Sequence, residues 1–322
     1  MSDHCLRLGF LIDPFSSLHP EKDSTLAMIR AAHARGWIVT VFEAADVWLD
    51  NGRLQARVTA LTRSDSTDAY EVGTPEVINP VDKLDVVLMR KDPPFDGEFL
   101  NTLYWLDRLH QSGVMVTNSP LSLMRYNEKL AATLFPQCCP PYLVSRAEDQ
   151  LQDFIRHYQD VILKPLDGMG GQSIFRVTAG DANARVIIET LTKNGCQTIM
   201  AQRFIPEISQ GDKRVLIIHG EVVPFALARI PPAGEIRGNL AVGGRGVAQP
   251  LSVRDEWICA ELKPWLQSEG ILLAGIDIIG DYLTEINITS PTGIRQLDRS
   301  CDLDIGGLLM DSMVGRWESY NH

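Results

Sequence analysis

Residues 161–177 read VILKPLDGMGGQSIFRV. Two short runs of β-branched and aromatic residues flank a loop holding Gly168, Gly170 and Gly171, and Lys164 stands near the end of the first run. Strand, glycine loop and strand predict a hairpin whose loop brings backbone N–H groups close to an anion, because no Cβ blocks the approach. The lysine at the loop's mouth adds charge. A Walker-type loop has its lysine after the glycines with a helix following, and a dinucleotide fingerprint needs G-x-G-x-x-G; neither fits. Taken alone, the stretch suits a flexible hairpin with a surface lysine equally well.

A second constellation lies in ILLAGIDIIGDYLTEINITSPTG (271–293), which reads as another hairpin carrying Asp277, Glu285 and Asn287. These are oxygen ligands of the kind Mg2+ takes when nucleotide phosphates also hold it. Glu285 and Asn287 share a strand face by the period of two. Asp277 joins that face only if the turn has an odd number of residues, such as Gly280-Asp281-Tyr282, pairing Ile279 with Leu283. A two-residue Gly280-Asp281 turn would send Asp277 to the other face. An unpaired carboxylate inside the run LLAGIDIIG would be costly, which favours a ligand over a solvated acid.

Around these hairpins the chain alternates. LRLGFLI (6–12), DSTLAMIRAAHARG (23–36) and WIVTVFE (37–43) read as strand, helix and strand, with Asp23 or Ser24 as cap and Gly36 as stop. LDVVLMRK (84–91), a helix across 97–112 and VMVTN (114–118) continue the pattern, so residues 1–120 predict an open, mostly parallel α/β domain. A helical stretch over 118–135 and the pair Pro140-Pro141 lead into a small α+β lobe, 121–205, that contains the glycine hairpin. The last lobe, 206–322, opens with a hairpin around His219-Gly220 (213–230). It continues through a glycine-rich segment without period (230–246), a helix over 252–270 interrupted by Pro264, and the Asp277 hairpin.

Segment 230–246 carries Arg237 and Arg245, with Arg229 just ahead of it. Glycine hinges and arginines suit a lid that closes on an anion; the plain alternative is a mobile loop. LMRKDPPFD (88–96) ends a parallel strand, the place where open α/β sheets bind ligands, and offers Arg90 for bidentate contact with a carboxylate. By itself it is an ordinary charged loop stiffened by Pro93 and Pro94.

At 322 residues the chain has room for two or three subdomains and a cleft between them. Its 41 acidic against 30 basic side chains give a formal charge of −11, so the overall field repels nucleic acid and anionic lipid, and neither is an expected partner. No signal-peptide pattern opens the chain and no apolar run reaches about 18 residues, so neither secretion nor a membrane span is expected. Cys5, Cys138, Cys139, Cys196, Cys259 and Cys301 form no C-x-x-C; they read as reduced thiols of a cytoplasmic protein, without a zinc site.

Taken together, NEKL (127–130), the glycine hairpin, GDKRVL (211–216), ARIPPAGEIRGNLAVGGRG (228–246) and GIDIIGDYLTEINITSPTGIR (275–295) resemble the ATP-grasp superfamily, most nearly its prokaryotic glutathione synthetases. DPFSSLHPEKDSTLAMI and VVLMRKDPPFD in the first domain are similar to the same family. The resemblance implies a two-lobed α+β ATP-grasp domain after the first domain. It also implies a ligase that joins γ-glutamylcysteine and glycine through an acyl phosphate, splitting ATP to ADP and phosphate. Both steps need positioning and charge neutralisation more than a protein nucleophile.

Carried over motif by motif, Lys129 and Lys164 would contact the ATP phosphates under the loop of Gly168, Gly170 and Gly171. Gln202, Phe204 and Ile205 of AQRFI would form the hinge beside the adenine, with Asp212 in the same nucleotide site. Arg214 and Arg229 would neutralise charge in phosphoryl transfer. Asp277, Glu285 and Asn287 would hold two Mg2+ ions, with Mn2+ as a substitute. Asp13, Arg90, Lys91 and Asp92 would serve the dipeptide, Ser290 and Thr292 the glycine end, and Arg237 a substrate under the lid. A homo-oligomer is implied, a tetramer by preference. After Arg295 the stretch QLDRSCDLDIGG departs from the family pattern, and residues 51–80 carry no assigned role. The competing readings are another ATP-grasp carboxylate–amine ligase and a non-catalytic ATP-binding regulator. A dinucleotide oxidoreductase fails, because LIDPFSS stands where a glycine fingerprint would follow the first strand.

Overall fold

Apolar strands and an amphipathic helix at the start of the chain assemble as their spacing predicts. The computed structural model describes residues 5–63, 69–168, 170–232, 234–235, 238 and 243–320. β1 (Arg7–Leu11), α1 (Ser24–Ala34) and β2 (Ile38–Phe42) form a βαβ unit in which β1 and β2 run parallel, Leu8 beside Val39. The Asp23 side chain accepts from Thr25 N to start α1, and Gly36, at φ +71°, carries the chain out of it.

The described residues of the unassigned stretch 51–80 are mostly strand. β3 (Val47–Asp50), β4 (Arg53–Arg63), β5 (Tyr70–Val72) and β6 (Glu76–Ile78) extend β2 on its outer side as antiparallel strands. In β4, Leu54, Ala56 and Val58 are buried and alternate with more exposed neighbours, the period of a half-buried strand. After α2 (Pro80–Lys83) come β7 (Val86–Met89), α3 (Gly97–Gln111) and β8 (Met115–Thr117). The strand order is β3-β4-β2-β1-β7-β8, parallel from β2 to β8.

The single helix expected over 118–135 is two, α4 (Pro120–Arg125) and α5 (Glu128–Ala132). Asn127 causes the break, because its side chain accepts from Lys129 N and Leu130 N and so begins a new helix. Next follow β9 (Tyr142–Ser145), α6 (Glu148–Tyr158), β10 (Asp160–Pro165), β11 (Phe175–Thr178), α7 (Ala184–Leu191) and β12 (Ile199–Arg203), with sheet order β11-β10-β12-β9. β10 and β11 are the arms of the glycine hairpin.

The third sheet contains β13 (Asp212–Ile218), β14 (Glu221–Ile230), β15 (Arg245–Pro250), and, after α8 (Val253–Ser268), β16 (Leu273–Ile279) and β17 (Tyr282–Asn287). Its order is β15-β14-β13-β16-β17. β15 takes Arg245 out of the segment expected to lack structure and pairs it with Ile230. α8 runs through Pro264 without interruption, because buried Ile258, Cys259, Leu262 and Leu266 hold both sides of the proline on the core. α9 (Ile294–Cys301) and α10 (Ile305–Tyr320), absent from the sequence reading, return to the first domain, where Ile305 and Met310 share a core with Met28 and Ile29.

The Asp277 hairpin corrects one expectation and keeps its consequence. Its turn has two residues, Gly280 and Asp281, with Ile279 opposite Tyr282. A bulge between Asp277 and Ile278 then places one extra residue on β17 and brings Asp277 opposite Glu285 after all.

Candidate active site

One face of the third sheet supplies the floor of the site. Neighbours across the ladders run Arg229 with Asp212, Arg214 with Asp277, Asp277 with Glu285, and Gly275 with Asn287. The next residues along each strand, among them Val215, Ile276 and Ile286, point the other way into the core. Strand periodicity therefore separates a charged face from an apolar one. Arg214 grips Asp277 with two bonds, Nε to Oδ1 at 2.6 Å and Nη2 to Oδ2 at 3.1 Å. Arg229 Nη2 reaches Asp277 Oδ2 at 2.9 Å and Asp212 Oδ2 at 2.5 Å. Asn287 Nδ2 donates to Gly275 O at 3.0 Å and to Asp277 Oδ2 at 3.3 Å. Gly275 matters to this packing. A Cβ there would stand 2.8 Å from Pro291 Cβ and 3.0 Å from Arg214 Cδ, so a side chain would displace the arginine.

Burial and charge divide this cluster unequally. Burial drives the Asp277 carboxyl up, but Arg214 and Arg229 outweigh it and hold it well below the usual carboxylate range. Asp212 is pushed up to about 6 by burial, against the pull of Arg229 and with the repulsion of Asp277 added. The arginines thus keep Asp277 ionised first.

The central sheet supplies the roof. Ile162 and Lys164 on β10 and Gln202 on β12 share one face, while Val161 and Leu163 face the lobe's own core. Lys164 Nζ and Lys129 Nζ both lie 3.6 Å from Glu285 Oε1, and both lysines are 4% exposed. Lys129 Nζ also donates to Gly168 O at 2.7 Å, tying α5 to the glycine loop. Burial pulls the Lys164 ammonium below its ordinary value, opposed by Glu285.

Roof and floor enclose a cavity of about 360 Å³. Of the residues singled out in the sequence, the cavity is lined by Asp92, Lys129, Lys164, Gly168, Gly170, Gly171, Gln202, Phe204, Ile205, Asp212, Arg214, Arg229, Asp277, Glu285, Asn287, Ser290 and Thr292. Asp13, Arg90 and Lys91 stand behind its wall. Arg90 is buried, with Nε donating to Thr25 Oγ1 at 3.2 Å and Nη2 to Pro291 O at 3.1 Å, which fixes the orientation of its guanidinium. Asp13 accepts from Lys91 Nζ at 2.9 Å and from Asp92 N at 2.8 Å, and Asp92 Oδ1 accepts from Ser290 Oγ at 2.6 Å. Of this group, Asp92 alone is among the residues lining the cavity. Arg237 lies outside the described residues.

Sequence reasoning missed Glu128, which lines the cavity and accepts from Thr289 Oγ1 at 2.7 Å. Its place in NEKL, one residue before Lys129, was the available signal. It also missed the apolar part of the wall, Ile162, Ile174, Ile208 and Ile279, whose side chains in the sequence look like ordinary core.

Models of two protein families match the chain: the ATP-grasp domain of prokaryotic glutathione synthetase over residues 128–302, and the N-terminal domain of the same enzyme over residues 6–124. The chain belongs to the prokaryotic glutathione synthetase family. Its relatives in that family include the glutathione synthetase of Pseudomonas aeruginosa, 53% identical over 312 residues that cover 97% of this chain and 98% of that one. The glutathione synthetase of Escherichia coli is 47% identical over 311 residues, covering 97% and 98%. Among solved structures, the D-cycloserine synthetase DcsG aligns with TM-score 0.68 at 14% identity, over 96% of this chain and 99% of that one. The ATP-grasp ligase PsnB aligns with TM-score 0.62 at 15% identity, over 96% and 99%. At those identities the likeness is one of fold.

Proposed function

We propose that the cavity binds ATP between the central and third sheets, with its phosphates toward Lys129, Lys164, Arg214 and Arg229. The chain is an ATP-dependent carboxylate–amine ligase that joins γ-glutamylcysteine to glycine and makes glutathione. One observation carries the reading of the site: four buried cations, from α5, β10, β13 and β14, converge on a single cavity. A triphosphate and the charge that moves during its transfer need such a concentration, and an amino-acid pocket alone does not.

The isoleucines of the wall, with Gln202, Phe204 and Ile205, offer an apolar slot with a few polar groups for the adenine. The loop of Gly168, Gly170 and Gly171 covers the phosphates, and Asp212 holds Arg229 beside them. Asp277, Glu285 and Asn287 would hold Mg2+, or Mn2+ in its place. They fit as donors, being hard oxygen-bearing side chains grouped on one sheet face. A bound divalent cation would supply neutralisation of phosphate charge.

Asp92, fixed by Asp13 and Ser290, faces the dipeptide, and Arg90 and Lys91 support that wall from behind. Ser290 and Thr292 lie at the glycine end. The cysteinyl carboxylate attacks the γ-phosphorus and releases ADP. The glycine amine then attacks the acyl carbon, loses a proton, and expels phosphate. The chain's own residues position the groups and neutralise charge; burial pushes Cys138 up to about 11 and Cys139 up to about 12, which keeps both as inert thiols. A cytoplasmic homo-oligomer, a tetramer by preference, completes the reading.

The test is phosphate release from MgATP with γ-glutamylcysteine, with and without glycine, and the product's mass. Release that needs both substrates and matches the tripeptide supports the reading. No release with this pair, but release with another acceptor, would overturn the substrate assignment.

A further inference from the structure

The cavity's cations and carboxylates do not pair off completely. Among the described residues, ion pairs reach Asp212, Asp277 and Glu285. Asp92 and Glu128 also line the cavity, and each is met instead by a neutral hydroxyl, Ser290 Oγ at 2.6 Å and Thr289 Oγ1 at 2.7 Å. ATP brings only negative charge. The two other substrates bring one ammonium each, on the γ-glutamyl residue and on glycine. Arg90 lies near Asp92, and Lys129 and Arg214 near Glu128, but among the described residues neither carboxylate makes an ion pair, and the substrates bring two ammonium groups.

Position assigns them. Asp92 belongs to the first domain, on the wall read above as the dipeptide's. Glu128 is on α5 and is tied to Thr289 in the run that ends at Thr292, the proposed glycine end; Asp92 also accepts from Ser290 of that run, and its backbone bond to Asp13 is what sets it on the dipeptide wall. Its charged surroundings are Lys129 on its own helix, Glu285 on β17 and Arg214 on β13. Lys129 is turned to Gly168 O and Glu285, and Arg214 to Asp277, so neither is bonded to Glu128. Burial pushes the Glu128 carboxyl up, with Glu285 adding to it and the Thr289 hydroxyl, Lys129 and Arg214 opposing. A cation arriving beside it relieves that penalty.

We propose that Glu128 receives the ammonium group of glycine and so selects a charged amino acid over a neutral nucleophile as acceptor. The inference rests on the glutathione-forming reading above and deepens it. Glu128→Gln retains the size of the side chain and an oxygen for the Thr289 hydroxyl while removing the charge.

The experiment follows phosphate release by the full chain at saturating MgATP and γ-glutamylcysteine, titrating either glycine or hydroxylamine, which is uncharged near neutral pH. In Glu128→Gln the glycine KM rises by roughly tenfold or more, while the KM values for ATP, γ-glutamylcysteine and hydroxylamine stay within about twofold. Thr289→Val, which only loosens the carboxylate, raises the glycine KM by about twofold to fivefold. An unchanged glycine KM in Glu128→Gln, or an equal rise for hydroxylamine, overturns the assignment. Wild-type protein that releases no phosphate with glycine overturns the functional reading and this inference with it.

Discussion

The roof and floor of the site are held in different ways. The core of the central lobe, built from Leu151, Ile155, Val161, Leu163, Val177, Ile188, Leu191, Ile199 and Ala201, contains residues of that lobe alone. Among the described residues the third sheet has no core cluster of its own. Val215, Ile276 and Leu283 share one cluster with Phe99, Leu103 and Val116 of the first domain, and Leu216, Leu227 and Met310 share another with Leu8, Phe10 and Met28. Arg35 to Asp311 at 2.6 Å and Asn118 Nδ2 to Ile288 O at 2.6 Å fasten the same junction. The difference teaches that Arg214, Arg229 and Asp277 stand on a fixed base. Lys164, the glycine loop and Gln202 ride on a unit whose displacement breaks little apolar packing.

Substitutions on the two sides should therefore separate catalysis from stability. Arg214→Ala is expected to do the most damage. It removes a cation from the phosphate site and half of the compensation of a buried carboxylate, so turnover falls by roughly a thousandfold and stability by about 3–5 kcal/mol, read by steady-state kinetics and denaturant unfolding. Lys164→Met should cost turnover about a hundredfold or more and leave the Tm unchanged or raised, because a buried ammonium whose charge burial disfavours is replaced by an apolar chain. A large drop in Tm there would break the comparison.

Leu163→Ala sharpens it. The loss of about 2–5 kcal/mol should appear as early unfolding of the central lobe only, whereas Ile276→Ala should lower one transition shared by the first domain and the third sheet. Calorimetry of the two variants distinguishes them.

The smallest effect concerns the junction of α9 with α10, where Asp298 Oδ1 accepts from Ile305 N at 2.9 Å. Burial pushes Asp298 up to about 6, so the folded chain holds that proton more tightly than the unfolded one. This group's contribution is full below the unfolded carboxylate pKa and is lost as pH rises through about 6. Asp298→Asn mimics the protonated form. Its Tm should exceed the wild type by about 1–3 °C at pH 7 and by less at pH 5; an equal gain at both values would contradict the assignment.

Much of this site was legible because strand periodicity leaves a plain trace. Lys164, Asp277, Glu285 and Asn287 were found from polar residues set into apolar runs, and the glycine hairpin from its loop. The register at Asp277 was legible only as a condition. In the sequence, turn length alone decides it, but the bulge beside Asp277 restores the pairing that a two-residue turn would break, and a bulge has no fixed sequence signature. β4 was missed although Leu54, Ala56 and Val58 alternate, because its exposed face is as polar as a loop. Glu128 stands in the first turn of α5, an ordinary place for an acid. Its meaning came from Thr289, 161 residues away. Arg90 shows the converse: its position after a parallel strand is plain in the sequence, but the contacts that orient it, Nε to Thr25 Oγ1 and Nη2 to Pro291 O, are not.

The most direct test of the division between roof and floor is native-state amide hydrogen exchange, resolved by peptide, with and without a non-hydrolysable ATP analogue and Mg2+. Residues 142–203 should exchange through a collective opening of lower free energy than residues 212–287, and the analogue should raise protection mainly in the former. Equal protection of the two sheets in the free protein, or a gain confined to the third sheet on binding, would contradict the account.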